Sequence, residues 1–196
     1  MSSSALTATA NVSAVLRSFG DVEPCIDASA WVAPGAVVIG DVVVGADSSI
    51  WYSTVVRGDV DKIRIGSRSN LQDGVVVHVS RARYPTHIGD EITVGHRAVV
   101  HGSVVEDGAL IGIGAIVLDG CRIGEGALVG AGAVVTPGTQ IEARTVALGT
   151  PARSVRSLGD DELREQRERT LTYVETARAH AASRELPAMG AGVVGG

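Results

Sequence analysis

An aliphatic residue recurs at every sixth position along most of the chain. The series runs Val32, Val38, Val44, Ile50 and Val56, slips by three residues, and resumes at Ile65, Leu71 and Val77. It restarts at Ile88, Val94 and Val100, then after one short step continues from Val105 through Ile111, Val117, Ile123, Val129 and Val135 to Ile141. Four places after many of these anchors stands a small residue: Ala98, Ala109, Ala115, Cys121, Ala127 and Ala133. Glycine falls directly after an anchor (Gly89, Gly95, Gly112, Gly124, Gly130) or three places after it (Gly108, Gly114, Gly120, Gly126, Gly132). A period of six matches neither the 3.6 of a helix nor the alternation of a two-faced strand. It suits a short strand followed by a bend, with the branched anchor pointing inward, the small residue at a crowded corner and glycine taking awkward backbone angles. Three such units close a triangular coil of about 18 residues, and coils stack at roughly 4.8 Å. The pattern therefore predicts a mainly β fold, a single-stranded parallel β-helix of hexapeptide repeats with roughly six to seven coils over 32–150.

Outside the ladder the chain changes character. Residues 1–20 are rich in Ser and Ala and read as a mobile segment. The β-helix is expected over 21–157, with the proline of "LGTPARSV" marking the end of the ladder. A C-terminal α-helix over 158–185 follows, with Asp160 or Asp161 as N-cap and an apolar stripe of Leu163, Leu171, Val174 and Ala177 lying along the coil. The last stretch, 186–196, reads as a disordered tail.

Composition narrows the function. A net charge of −5, a pI near 5.5 and the lack of a Lys/Arg patch argue against nucleic acid. No apolar run reaches the roughly 18 residues of a membrane span, and "MSSSALTATANVSAVLRSFG" lacks the pattern of a signal peptide. Two cysteines, Cys25 and Cys121, make no disulfide framework. A cytoplasmic protein is expected.

The candidate chemistry lies in "VVVHVSRARYPTHIGDEITVGHRAVVHG", which holds four of the five histidines. His78 follows anchor Val77 and His101 follows anchor Val100, so both occupy the same slot of their hexads. Their separation of 23 residues is one coil plus five, and the five match a loop, "ARYPT" (Ala82–Thr86). With that loop excluded the two imidazoles stack on adjacent coils about 5 Å apart, close enough to share a metal. His96 sits two places after Val94, on the preceding face, and cannot join them within one chain. Three-fold packing would bring one subunit's His96 to its neighbour's His78 and His101, which predicts a homotrimer with three equivalent metal sites between subunits. His87 and His180 read as surface residues. In "RGDVDKIRIGSRSNLQDG", Arg57, Asp59, Asn70, Gln72 and Asp73 stand beside core anchors. Arg57 flanked by Asp suits bidentate pairing at a subunit edge, and Gln72 could orient a water on the metal without adding charge.

"RGD", then "NLQDG…H", then "GH…HG", inside a hexapeptide ladder ending "GTPARSVR", resembles the gamma class of carbonic anhydrases over roughly residues 22–175. The resemblance implies a left-handed β-helix and a homotrimer with Zn²⁺, or Fe²⁺ or Co²⁺ in its place, at the subunit interface. It implies His78 and His101 as ligands from one subunit and His96 from the next, and Gln72 on the metal-bound water. Arg57, Asp59 and Asp73 would form an interface ion-pair network, with Tyr173 of "TLTYVE" next to the site by a looser match. The implied activity is reversible hydration of CO₂ to bicarbonate by metal-bound hydroxide, a carbonate dehydratase-type lyase. The chain departs from the family pattern where a glutamate would follow "RGD": Val60 stands there, and "SRARYPT" carries two arginines and no carboxylate. Slow hydration is therefore one expectation. Two alternatives stay open. The same metal-binding trimer could act as a thioesterase or scaffold, or the coil could be a hexapeptide acyltransferase using acyl-CoA.

Overall fold

The computed structural model describes residues 13–183. The chain winds as a left-handed β-helix of about seven turns, built from parallel strands and flanked by one C-terminal helix. Short strands fall on three faces. One face stacks Val15–Arg17, Val37, Val55, Val76–His78, Val99–His101, Ile116–Val117 and Val134–Val135 in register. Two long strands, Val37–Val44 and Val55–Ile65, run round a corner and serve two faces each.

The anchors do what their period requires. From Val38 to Ile141 none is more than 4% exposed, and the small-residue series Ala98, Ala109, Ala115, Cys121, Ala127 and Ala133 lines the same core at 2% or less. Burying aliphatic side chains on every coil supplies the folding drive that a chain with few aromatics must find elsewhere. The three irregular spacings also sit where expected, the short step after Val100 bringing Val105 opposite Ile88. Val38 pairs with Val56 but Val56 with Val77, so three extra residues bulge out of the Val55–Ile65 strand. Val77 pairs with Val100 and Ile65 with Ile88, which places the five-residue excess after His78. The excursion ends earlier than the sequence suggests, because Thr86 already belongs to the strand Thr86–Ile88 and is buried.

The two glycine series answer to different physical demands. Gly112 follows an anchor, and a Cβ there would lie 2.5 Å from the Ala131 backbone nitrogen on the next coil. Gly114 stands three places after an anchor at φ +66° with nothing within 4 Å, so it serves the left-handed turn instead.

Both ends of the coil differ from expectation. Val15–Arg17 pairs with Val37–Ile39, so strand structure begins inside the stretch read as mobile; residues 1–12 and the predicted tail 186–196 lie outside the described residues. After Gly149 the chain reverses, and Ala152–Ser157 runs antiparallel to Thr145–Gly149 instead of continuing the coil. The helix spans Asp160–Ala181, and its N-cap is Gly159, not Asp160 or Asp161. Glu162 reaches back to accept the Gly159 N–H at 3.0 Å, and the three acidic residues of the first turn face the positive end of the helix. Its buried face includes two polar residues, Gln166 and Thr170, beside Ala177. Gln166 donates to the carbonyls of Gly108 and Gly126 at 2.7 and 3.3 Å, and Thr170 bonds Thr93 at 2.9 Å. A coil corner presents backbone carbonyls, so the helix docks there through donors as well as through Leu163, Leu171 and Val174. His180 also departs from its expected surface position: it packs 4.9 Å from the Trp51 ring and bonds the Tyr52 hydroxyl at 2.9 Å. Among the described residues no helix is long and apolar enough to cross a membrane.

Candidate metal centre

The strand register puts His78 directly opposite His101 on adjacent coils. Their ring centroids are 5.0 Å apart, and His78 Nδ1 faces His101 Nε2 at 3.0 Å. The outer nitrogens are held by carboxylates on the coils above and below. His78 Nε2 lies 2.9 Å from Asp59 Oδ1, and His101 Nδ1 lies 2.5 Å from Asp119 Oδ1. Asp59, His78, His101 and Asp119 thus form a ladder along one corner, carboxylate to imidazole to imidazole to carboxylate. Asp59 is itself paired with Arg57. Burial works to raise the Asp59 carboxyl, but its bonds to His78 and Arg57 outweigh this and hold it below the usual range. Asp119 behaves likewise: burial raises it, and Ser80, His101 and the charge of His78 win.

This arrangement has a chemical requirement. If each carboxylate takes an N–H from its histidine, the two inner nitrogens point lone pairs at one another across 3.0 Å. Only a proton or a cation between them relieves that contact. A divalent ion there would also balance the charges of Asp59 and Asp119. Tetrahedral Zn²⁺ with bonds of about 2.0–2.1 Å separates two nitrogens by about 3.3 Å, so a few tenths of an ångström of ring movement admits it. The donor set therefore fits a metal.

His96 stands not on the preceding face, where it was expected, but in the turn between Thr93–Val94 and Val99–His101, at the opposite end of the face that finishes in His101. Its Nδ1 lies 2.9 Å from Asp73 Oδ2, which leaves Nε2 free to ligate. Both side chains are about half exposed. Among the described residues no three His, Cys, Asp or Glu side chains of one chain converge on a metal position. Gln72 is buried, accepts the His96 backbone N–H at 3.2 Å and donates to Asn70 at 3.2 Å, retaining one N–H and one lone pair. Within one chain Asp73 does not join Arg57 and Asp59; it serves His96 instead. Tyr173 packs edge-on against Trp51 at 5.5 Å and shares with Gln72 and His96 a groove of about 410 Å³. Burial, and then the charge of Asp73, push its hydroxyl above the ordinary tyrosine value. His87 is exposed, as expected. The reading of the sequence missed Asp119. Its signal was present, because it lies 18 residues after His101 and so occupies the same slot one coil on.

Comparison with known proteins shows the family. Residues 102–137 match the family described as bacterial transferase hexapeptide (six repeats). A Methanocaldococcus jannaschii protein named "Probable carbonic anhydrase" is 56% identical over 144 residues, 74% of this chain and 90% of that one. Gamma carbonic anhydrase 1, mitochondrial, of Arabidopsis thaliana is 45% identical over 172 residues, 85% of this chain. The chain spans 62% of that plant relative's length. A solved structure described as a hexapeptide transferase family protein from Anaplasma phagocytophilum superposes with a TM-score of 0.81 at 36% identity, covering 84% of this chain and 97% of that one. With a relative 56% identical along nine-tenths of its length, and with the histidine pair and its carboxylates in place, the chain belongs to the gamma carbonic anhydrase family.

Proposed function

We propose that the protein hydrates CO₂ reversibly to bicarbonate at zinc-type metal sites, Fe²⁺ or Co²⁺ being possible in place of Zn²⁺, formed between the subunits of a homotrimer. The observation that carries this reading is the inner nitrogen pair of His78 and His101, backed on both sides by carboxylates. The third ligand would be His96 of a neighbouring copy. What supports that assembly is the face lying between the two histidine corners. Its outward positions Val37, Val55, Val76, Val99, Ile116 and Val134 form an apolar stripe only partly covered in one chain, with Val76 39% exposed. Three such faces turned to a common axis would bury the stripe and bring each His96 corner to a neighbour's His78/His101 corner.

Each residue then has a stated task. Asp59, Asp73 and Asp119 hold one N–H of His78, His96 and His101, fixing which nitrogen points inward. Arg57 keeps Asp59 charged and oriented. The spare N–H and lone pair of Gln72 orient the reacting water and bicarbonate. Tyr173 closes one side of the groove beside His96. When bound, the cation supplies the Lewis acidity that brings ionisation of a water down to near neutral pH. Proton departure has little help from the chain: Val60 packs against the core and the 80–86 loop has no carboxylate. Buffer, water or Asp61 must then carry the proton away.

Elemental analysis of anaerobically purified protein, with stopped-flow CO₂ hydration at rising buffer concentration, tests the proposal. The expected result is about one transition-metal ion per chain, hydration that climbs with buffer, and loss of both in His96→Ala. Stoichiometric metal in that variant would falsify the shared site. Full metal without hydration at any buffer level would leave a metal-binding trimer with another task.

A further inference from the structure

The loop after His78 does more than absorb five residues. Ser80 at its start donates to Asp119 Oδ2 at 2.6 Å, while Asp119 Oδ1 receives His101 Nδ1. Ser80 also pairs with Tyr84 across the loop, through main-chain bonds of 3.1 and 3.2 Å. The Tyr84 ring packs on the glycine corner, with Cε1 3.1 Å from where a Gly120 Cβ would stand. At the loop's end Thr86 Oγ1 donates to the His78 carbonyl at 2.6 Å. The remaining partner is an absence of side chain. A Cβ on Gly102, the residue after His101, would overlap Asp119 Oδ1 and lie 2.8 Å from Tyr84 Cβ. Loop, carboxylate and imidazole therefore occupy one packed corner.

We infer that Asp119 is a positioning residue for His101, held by Ser80 of the 80–86 loop and admitted by the bare face of Gly102. This rests on the metal reading only for its consequence. Asp119 takes the Nδ1 proton of His101 and so presents Nε2 as the inward donor. Ser80 occupies the second carboxylate oxygen, so Asp119 cannot swing away without breaking a second hydrogen bond. The loop fixes the ligand's tautomer and aim, and through them the affinity for metal.

Two readouts test this on the full-length protein. In metal-free protein at pH 8, ring-nitrogen NMR should show His101 as the Nδ1–H tautomer in wild type and as a mixture in Asp119→Ala. Competition with a chromophoric chelator for Zn²⁺ should show an affinity loss of about 10–100-fold in Asp119→Ala. Ser80→Ala should lose several-fold, and Asp119→Asn, whose Oδ1 still accepts the His101 proton, should recover most of the loss. An unchanged His101 tautomer with affinity within two-fold of wild type in Asp119→Ala overturns the inference. Should that variant not fold, the same result in Ser80→Ala overturns it. A wild type with His101 locked but no affinity for Zn²⁺ would overturn the proposed function and leave the positioning role standing.

Discussion

The corner beside His101 can be probed by adding a single methyl group. Gly102 and Gly114 both take left-handed backbone, at φ +52° and +66°, but only Gly102 is crowded. Alanine at either position pays for that conformation with about 1–2 kcal/mol, offset by about 0.4–1 kcal/mol from stiffening the unfolded chain. Both variants should therefore lose about 1 kcal/mol of stability from strain. Gly114→Ala stops there, because nothing lies within 4 Å of its new Cβ. In Gly102→Ala the methyl takes the place of Asp119 Oδ1 and presses on Tyr84 Cβ at 2.8 Å. Asp119 must withdraw, and its charged hydrogen bond to His101, worth about 1.5–3 kcal/mol, goes with it. Zn²⁺ affinity should fall about 10–100-fold, equivalent to about 1.4–2.7 kcal/mol. Denaturant unfolding of the metal-free proteins gives the first quantity and chelator competition the second. Equal Zn²⁺ affinity in the two variants would refute the account of this corner.

Val76→Asp puts a charge in the middle of the apolar stripe; light scattering should find single subunits with native circular dichroism, and metal should be lost together with assembly. Gly112→Ala must drive a methyl to 2.5 Å from Ala131 N and 2.7 Å from Gly130 C, all immovable backbone. It should cost about 3 kcal/mol or more, well above Gly114→Ala, and similar losses in denaturant unfolding would be evidence against the close-approach argument. Glu162, lowered to about 2 first by Arg156 and then by the Gly159 N–H, contributes to the helix start above its ordinary value near 4.5. That contribution should disappear only as pH falls from about 4.5 towards about 2, and carboxyl NMR placing its titration near 4.5 would contradict the pairing.

Most of the coil was legible because its constraint is one-dimensional. A branched anchor every six residues can be counted, and the spacing faults were visible as a slip after Val56, an excess after His78 and a short step after Val100. The His78–His101 pairing followed from that count alone. Contacts made between elements were harder to read. Gln166 and Thr170 look like solvent residues in a helix pattern, yet they are buried because the coil beneath them offers the carbonyls of Gly108 and Gly126 and the Thr93 hydroxyl, not methyl groups. His180 lies far along the chain from Trp31, Trp51 and Tyr52, and no periodicity brings it to them. Ser80 escaped notice because its role depends on how the loop folds back, which spacing does not encode.

The ladder from Asp59 to Asp119 spans four successive laps, each stacked on the next, with the 80–86 loop bridging two laps from Ser80 to Asp119. Splicing one whole turn of the spiral into the stretch beyond Asp119 would lengthen the rod without moving any ligand. The same insertion between His78 and His101 would separate the rings by a full storey and erase the site. Evolution or a protein engineer can thus change the height of this molecule at one end while His78 and His101 keep their places, provided the C-terminal helix is lengthened so that Tyr173 and His180 still reach Trp51.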